Sequence, residues 1–282
     1  MARRVIEDKI ARKRLKLEGR VVVVTGGTRG IGWAIARTAA TDGATVVICA
    51  RDETAVRESV ARLKELGANA SGIAADVSRE GDLARLLEHV TSTWGRLNVW
   101  VNNAGVSAGR KKFESLAAAE IDRLISINFA GTMKAARLVI PYFIRQGGGI
   151  LLNISGKGGD GRAAPFNTTY AATKAAVVSF TRSLAEEYRR YPVSIHTISP
   201  GMVATEFYKD VMTGPEMASQ ARKLAYIMRV VGVPPEEVGR LVVQVATQLP
   251  GKVTGKNYST IRGRRKWLGA ARFVWYRFTG KI

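Results

Sequence analysis

The chain has 282 residues, 46% of them hydrophobic and 24% charged, so it folds around a core and is not a disordered polymer. One cysteine excludes a disulfide framework, and with only two histidines, His89 and His196, no metal site is expected. Lys and Arg outnumber Asp and Glu by 44 to 23, a formal charge of +21. Residues 1–20 carry eight basic and three acidic side chains, and residues 252–282 carry nine basic and none acidic, so the ends hold most of that excess. No apolar run approaches the ~18 residues of a membrane span, and the start has no apolar export core, which predicts an intracellular, cytoplasmic protein.

The elements follow in order from residue 19. Residues 20–25 (RVVVVT) form a continuous β-branched run of the kind buried on both faces of a parallel sheet. A glycine-rich turn and a helix over 31–41 come next, then a strand over 44–49 and an amphipathic helix over 54–66. Strands are predicted over 70–74 and 97–101, with a helix over 80–94 between them. A long helix over 121–145 contains Pro141, expected to bend it or mark its last turns. A strand over 149–154, a helix over 170–190, a strand over 193–198, a helix over 235–248 and a strand over 253–258 complete the pattern. Strand alternating with helix in this way predicts one α/β domain, 19–258, built on a doubly wound, Rossmann-like parallel sheet of about seven strands. It is flanked by a basic N-terminal extension, 1–18, and a basic, aromatic tail, 259–282.

Wound as a helix, the tail sets Trp267, Leu268, Ala271, Val274, Trp275 and Phe278 on one face. Three readings of it stand: packing on its own domain, packing on a sister subunit, or contact with an anionic membrane surface. Nucleic acid is not an expected partner, because no recognised binding module accompanies the charge.

After the first strand the chain reads Thr25-Gly26-Gly27-Thr28-Arg29-Gly30-Ile31-Gly32. Glycines at 26, 30 and 32 let backbone amides approach a pyrophosphate at the positive end of the next helix, the signature of a dinucleotide site. An acidic residue after the second strand would hold an unphosphorylated ribose. This chain has Arg51 there and Arg29 in the loop, a pair of guanidiniums that favours the 2′-phosphate of NADP(H) over NAD(H). Asp52 adjoins Arg51 and would partly neutralise it.

Tyr170 and Lys174 stand four residues apart on a helix and share a face. A tyrosine is a weak acid near neutrality, with a reference pKa of about 10, and a nearby ammonium brings it toward the working range. Tyr170 is thus the candidate acid–base group for a carbonyl gaining hydride or an alcohol losing it. Cys49, in a strand, is expected to be inert core, His196 structural, and His89 a helix-surface residue.

With these pieces in order, TGGTRGIG at 25–32, Asp76 in AADV, NNAG at 102–105, Asn128 in SINFAG, YAATK at 170–174 and Pro200-Gly201 leading to Thr205, the sequence resembles the short-chain dehydrogenase/reductase family. The resemblance covers nearly all of 19–258 and implies an NADPH-dependent carbonyl reductase, reversible as an alcohol dehydrogenase. It implies that Lys174 also holds the nicotinamide ribose, that Asn128 orients a water linked to the lysine, and that Asp76, with Val77 beside it, meets the adenine. Asn103, Ala104 and Gly105 would line the cofactor cleft, with Pro200, Gly201, Val203 and Thr205 around the nicotinamide carboxamide. Members commonly read Asn-Ile-Ser-Ser, the second serine polarising the carbonyl; here the run is Asn153-Ile154-Ser155-Gly156. The glycine-rich loop 156–161 is expected to bulge and bring Ser155 into the pocket as the donor. Residues 205–233, with Phe207, Tyr208, Met212, Met217, Tyr226 and Met228, would form a lid favouring a lipophilic ketone or alcohol. A homo-oligomer, dimer or tetramer, is implied, although the family's valine-aspartate-diglycine ending is absent. The competing reading is a non-catalytic NADP(H) sensor or membrane scaffold of the same fold.

Overall fold

The structure, a computed structural model, describes residues 16–203, 205 and 232–261. The lid residues 206–231, the tail beyond 261 and residues 1–15 lie outside it, and with them the lid and tail readings above.

Seven parallel strands make one sheet: β1 (Val21–Thr25), β2 (Thr45–Ala50), β3 (Ala70–Ala74), β4 (Val99–Asn102), β5 (Gly149–Ile154), β6 (Val193–Ser199) and β7 (Asn257–Ser259). They lie in the order β3-β2-β1-β4-β5-β6-β7, so the winding reverses between β1 and β4. At that reversal, beyond the carboxyl ends of the strands, the connections diverge to opposite faces and leave a crevice.

Successive strand residues serve different helices. Val22, Val24, Ile48, Val101 and Leu152 pack against α1 (Gly30–Thr41), α2 (Glu53–Glu65) and α7 (Pro235–Ala246) through Ile35, Leu63 and Val242. Val21, Val23, Val47, Trp100 and Leu151 face α3 (Glu80–Trp94), α5 (Gly131–Arg145) and α6 (Thr168–Glu187) through Leu86, Val139, Phe143 and Ala185. Burial of each such side chain contributes roughly 1.5–3 kcal/mol, which explains why the strands read as unbroken apolar runs.

Two elements differ from the sequence expectation. The predicted long helix is two, α4 (Ala118–Ile125) and α5, joined by a π-helical turn over Ser126–Ala130, while Pro141 stands inside α5. Such a turn leaves no trace in a hydrophobic period, and it is often found at functional sites. The last strand starts at Asn257 instead of 253, because Gly255 adopts φ +74° and breaks the extended run.

Candidate active site

A cleft of about 680 Å³ runs along the crevice, lined at one end by the glycine loop, Arg51, Asp52 and Asp76 and at the other by Ser155, Gly156, Tyr170 and Lys174. Its floor is fixed by the β1–α1 turn. A Cβ on Gly32 would lie 2.0 Å from the Gly26 carbonyl oxygen, and Gly26 itself has φ +64°. Both positions therefore require glycine, which leaves a cradle walled by backbone at the start of α1. Asn103 locks this turn by donating from Nδ2 to the carbonyls of Thr25 (2.8 Å) and Gly26 (3.2 Å). Asn103 and Ala104 also donate their backbone N–H groups to Thr25 Oγ1. Asn103 thus acts on the loop, with Thr28, Arg29, Gly30, Ile31, Ala104 and Gly105 facing the same cleft.

Arg29 and Arg51 both line the cleft. Asp52 makes no ion pair with Arg51 among the described residues; its carboxylate caps α2 by accepting the Ala55 N–H at 3.0 Å. Asp76, at the end of β3, accepts from the Ser78 N–H and hydroxyl, which holds the loop carrying Val77 against the cleft. The cradle and the two cations fit a dinucleotide. Pro200, Gly201, Val203 and Thr205 line the opposite wall, with Thr205 Cγ2 3.5 Å from where a Cβ of Gly30 would stand.

At the Tyr170 end of the cleft Lys174 is buried, and its Nζ donates to the Ile154 carbonyl at 3.1 Å. The ammonium lies 5.7 Å from the centroid of the Tyr170 ring. Burial lowers its pKa to about 8, with no carboxylate among the described residues to repay the loss of water. The π-helical turn presents Asn128, whose side chain accepts from the Val106 N–H (2.8 Å) and donates to the Val106 carbonyl (3.0 Å) and Thr173 Oγ1 (3.3 Å). Asn128 thereby ties the loop after β4 to α6, the helix that carries Tyr170 and Lys174.

Ser155 lines the cleft at this end. Its hydroxyl is directed at the β6 side, 3.2 Å from the Ile198 carbonyl and 2.9 Å from Ser199 Oγ. The place beside the tyrosine belongs to Gly156, where a Cβ would stand 2.7 Å from the Tyr170 hydroxyl. Arg110, Lys157 and Asn167 also line the cleft. The sequence reading passed over all three, and Lys157, next to the substituted serine position, was the one that spacing could have found.

The remaining candidates are structural. Cys49 is buried, its thiol pushed up to about 12 by burial. His196 is buried with Nδ1 accepting the Lys256 N–H and its ring edge-on to Tyr258, and burial lowers its pKa to about 4. His89 is partly buried and bonds Ser71 Oγ at 3.0 Å, so it ties α3 to β3 instead of lying free on the surface. No helix among the described residues is long and apolar enough to cross a membrane.

Comparison with known proteins agrees with this geometry. A family model described as short chain dehydrogenase matches residues 20–216. An uncharacterized oxidoreductase, YxnA, of Bacillus subtilis (strain 168) is 37% identical over 195 residues, 68% of this chain and 54% of that protein. The short-chain reductase protein NovJ of Streptomyces niveus is 33% identical over 249 residues, 86% of this chain and 93% of that protein. Among solved structures, levodione reductase superposes with a TM-score of 0.78 at 28% identity, over 86% of this chain and 96% of that one. The chain thus spans about half the length of the first relative and nearly all of the second.

Proposed function

The chain belongs to the short-chain dehydrogenase family of oxidoreductases, and from that membership and the cleft we propose that it reduces a lipophilic ketone to a secondary alcohol with NADPH, or runs the reverse. The observation that carries this reading is the buried Lys174 ammonium beside the Tyr170 ring, in the same cleft as the glycine cradle. The nicotinamide group, when bound, supplies the hydride. Gly26, Gly30 and Gly32 admit the pyrophosphate to backbone amides, and Arg29 and Arg51 take the 2′-phosphate. Tyr170 holds the carbonyl oxygen by its hydroxyl and gives up that proton as the alkoxide forms. Lys174, positively charged and poorly solvated, stabilises the phenolate that remains. Asn128 keeps the β4 loop at its distance from α6. Carbonyl polarisation falls first to Tyr170, with Ser155 in the same cleft and glycine at 156.

The test replaces Tyr170 with Phe. Turnover of a panel of ketones with NADPH drops by orders of magnitude while NADPH affinity holds; unchanged turnover removes Tyr170 from the mechanism. Gly156 favours a second reading, a non-catalytic NADP(H) sensor, and measurable NADPH binding with no turnover of any ketone would select it. The protein works as a homo-oligomer acting on small molecules, and vesicle sedimentation separates the three readings of the 262–282 tail, packing on its own domain or on a sister subunit against contact with an anionic membrane surface. Deleting that tail abolishes sedimentation with phosphatidylserine vesicles; if the full chain never sediments, the membrane role falls.

A further inference from the structure

Two basic side chains stand at the catalytic end of the cleft with no part in the chemistry proposed above. Lys157 follows Gly156, whose Cβ position is 2.7 Å from the Tyr170 hydroxyl, and it lines the cleft while remaining exposed. Arg110 comes from the opposite side, on the loop after β4, and lines the same cleft. That loop is clasped to the segment before α6: the Lys111 N–H donates to the Phe166 carbonyl at 3.0 Å, and Arg110 Nη2 reaches the Pro165 carbonyl at 3.4 Å. The clasp uses part of the guanidinium. Arg110 Nε is shut off from solvent and has no partner among the described residues, the state of a buried donor that a ligand would relieve.

Acidic side chains that could answer both cations are otherwise engaged. Glu120 takes Lys111 at 2.7 Å, and Asp160 takes Arg162 at 3.6 Å. The acids that line the cleft among the described residues, Asp52 and Asp76, follow β2 and β3 at the adenosine end. With Lys174 also buried nearby, the reacting end carries positive charge with no carboxylate paired to it among the described residues, and Val106, Ala164, Pro165 and Met202 give apolar wall beside Asn167 and Ser155. Such a region binds one kind of group far better than any other, a compact anion.

We propose that Arg110 and Lys157 form a subsite for a carboxylate, so that the substrate is an oxo acid with an apolar body, held by its acid group while its carbonyl meets Tyr170. A carboxylate suits the site because the planar fork of arginine matches it and because the walls around it are those of a short hydrocarbon pocket. The proposal rests on the carbonyl-reductase reading and adds the substrate class to it.

The experiment compares short- and medium-chain oxo acids with their methyl esters, by NADPH consumption, in the full chain and in its Arg110→Gln and Lys157→Gln variants. In the wild type the acid exceeds its ester by about tenfold or more in kcat/KM, the scale of a hydrogen bond to a charged group. Arg110→Gln erases most of that advantage through KM, Lys157→Gln erases less, being exposed, and the ester's own kcat/KM stays as it was. Esters turned over as well as the acids, or an advantage that survives both substitutions, overturns the subsite. A phosphorylated ketone preferred tenfold over the acids overturns the carboxylate assignment. If neither acids nor esters react, the saturated carboxylic acids are titrated into the NADPH-bound protein. Binding that Arg110→Gln abolishes keeps the subsite and sinks the reductase reading, and absence of binding sinks the subsite.

Discussion

Replacing Lys174 with methionine keeps the length of the side chain and removes its charge. In the folded protein the ammonium is buried and its pKa falls to about 8 from the ordinary value of 10.5, burial being the cause. Below about pH 8 the lysine is protonated in both folded and unfolded chains, and the folded state carries the whole cost of burying the charge, about 3 kcal/mol. As pH rises from about 8 to about 10.5 the folded chain gives up its proton first and the cost fades. The wild type therefore gains on the methionine variant by about 2 kcal/mol between roughly pH 6.5 and 9.5. The lost hydrogen bond to the Ile154 carbonyl, 3.1 Å long, penalises the variant by an amount that does not vary with pH, so the slope and not the sign carries the information. Urea denaturation of both proteins at three pH values reads it, with Tyr170→Phe in both backgrounds so that the tyrosine coupled to this lysine drops out of the difference. A stability difference that stays flat across this range would refute the claim that an unpaired ammonium lies buried at Lys174.

Three further outcomes follow from the geometry. Arg51→Ala lowers the ratio of NADPH to NADH efficiency by about tenfold or more, the worth of a charge-assisted contact to phosphate; an unchanged ratio in coenzyme kinetics removes Arg51 from the choice. Gly156→Ala places a Cβ against the Tyr170 hydroxyl, 2.7 Å away before adjustment. Displacement of the ring then lowers kcat by about tenfold to a hundredfold with NADPH affinity intact, and wild-type kcat would show that the tyrosine yields freely. Asn153→Ala breaks a buried relay in which Trp100 Nε1 donates to Asn102 Oδ1, Asn102 Nδ2 to Asn153 Oδ1, and Asn153 Nδ2 to Thr181 Oγ1. The loss is about 1–3 kcal/mol in denaturant unfolding, and an unaltered midpoint would mean that the relay contributes no net stability.

The sheet was legible because parallel strands covered on both faces must be apolar throughout, as in residues 21–25 and 45–50. The cradle was legible because glycine is the residue that tolerates a carbonyl 2.0 Å from its missing Cβ, as Gly32 must. Helix spacing brought Tyr170 and Lys174 together in the same way. Other features depend on where remote segments meet. The π-helical turn that presents Asn128 has no hydrophobic period of its own. The orientation of Ser155 is set by Ile198 and Ser199 across the β5–β6 pair, more than forty residues away. Arg110 gave no signal at all, since its place at the cleft arises from the clasp to Pro165 and Phe166.

The separation of the two cores by the sheet has a bearing on how this molecule can change over time. Side chains such as Val22 and Val23, adjacent in sequence, belong to different packing neighbourhoods divided by backbone. Damage to one neighbourhood is therefore screened from the other, and the costs of two substitutions on opposite faces add where the sites lie more than about 10 Å apart and share no partner. At the cleft the neighbourhoods meet, with Gly26, Gly30 and Arg51 entering from segments that lead into α1 and α2, and Val77, Ile127 and Tyr170 from those that lead into α3, α5 and α6. A lineage carrying this scaffold can revise the residues around its substrate one loop at a time, from whichever face they arise, while both cores remain as inherited.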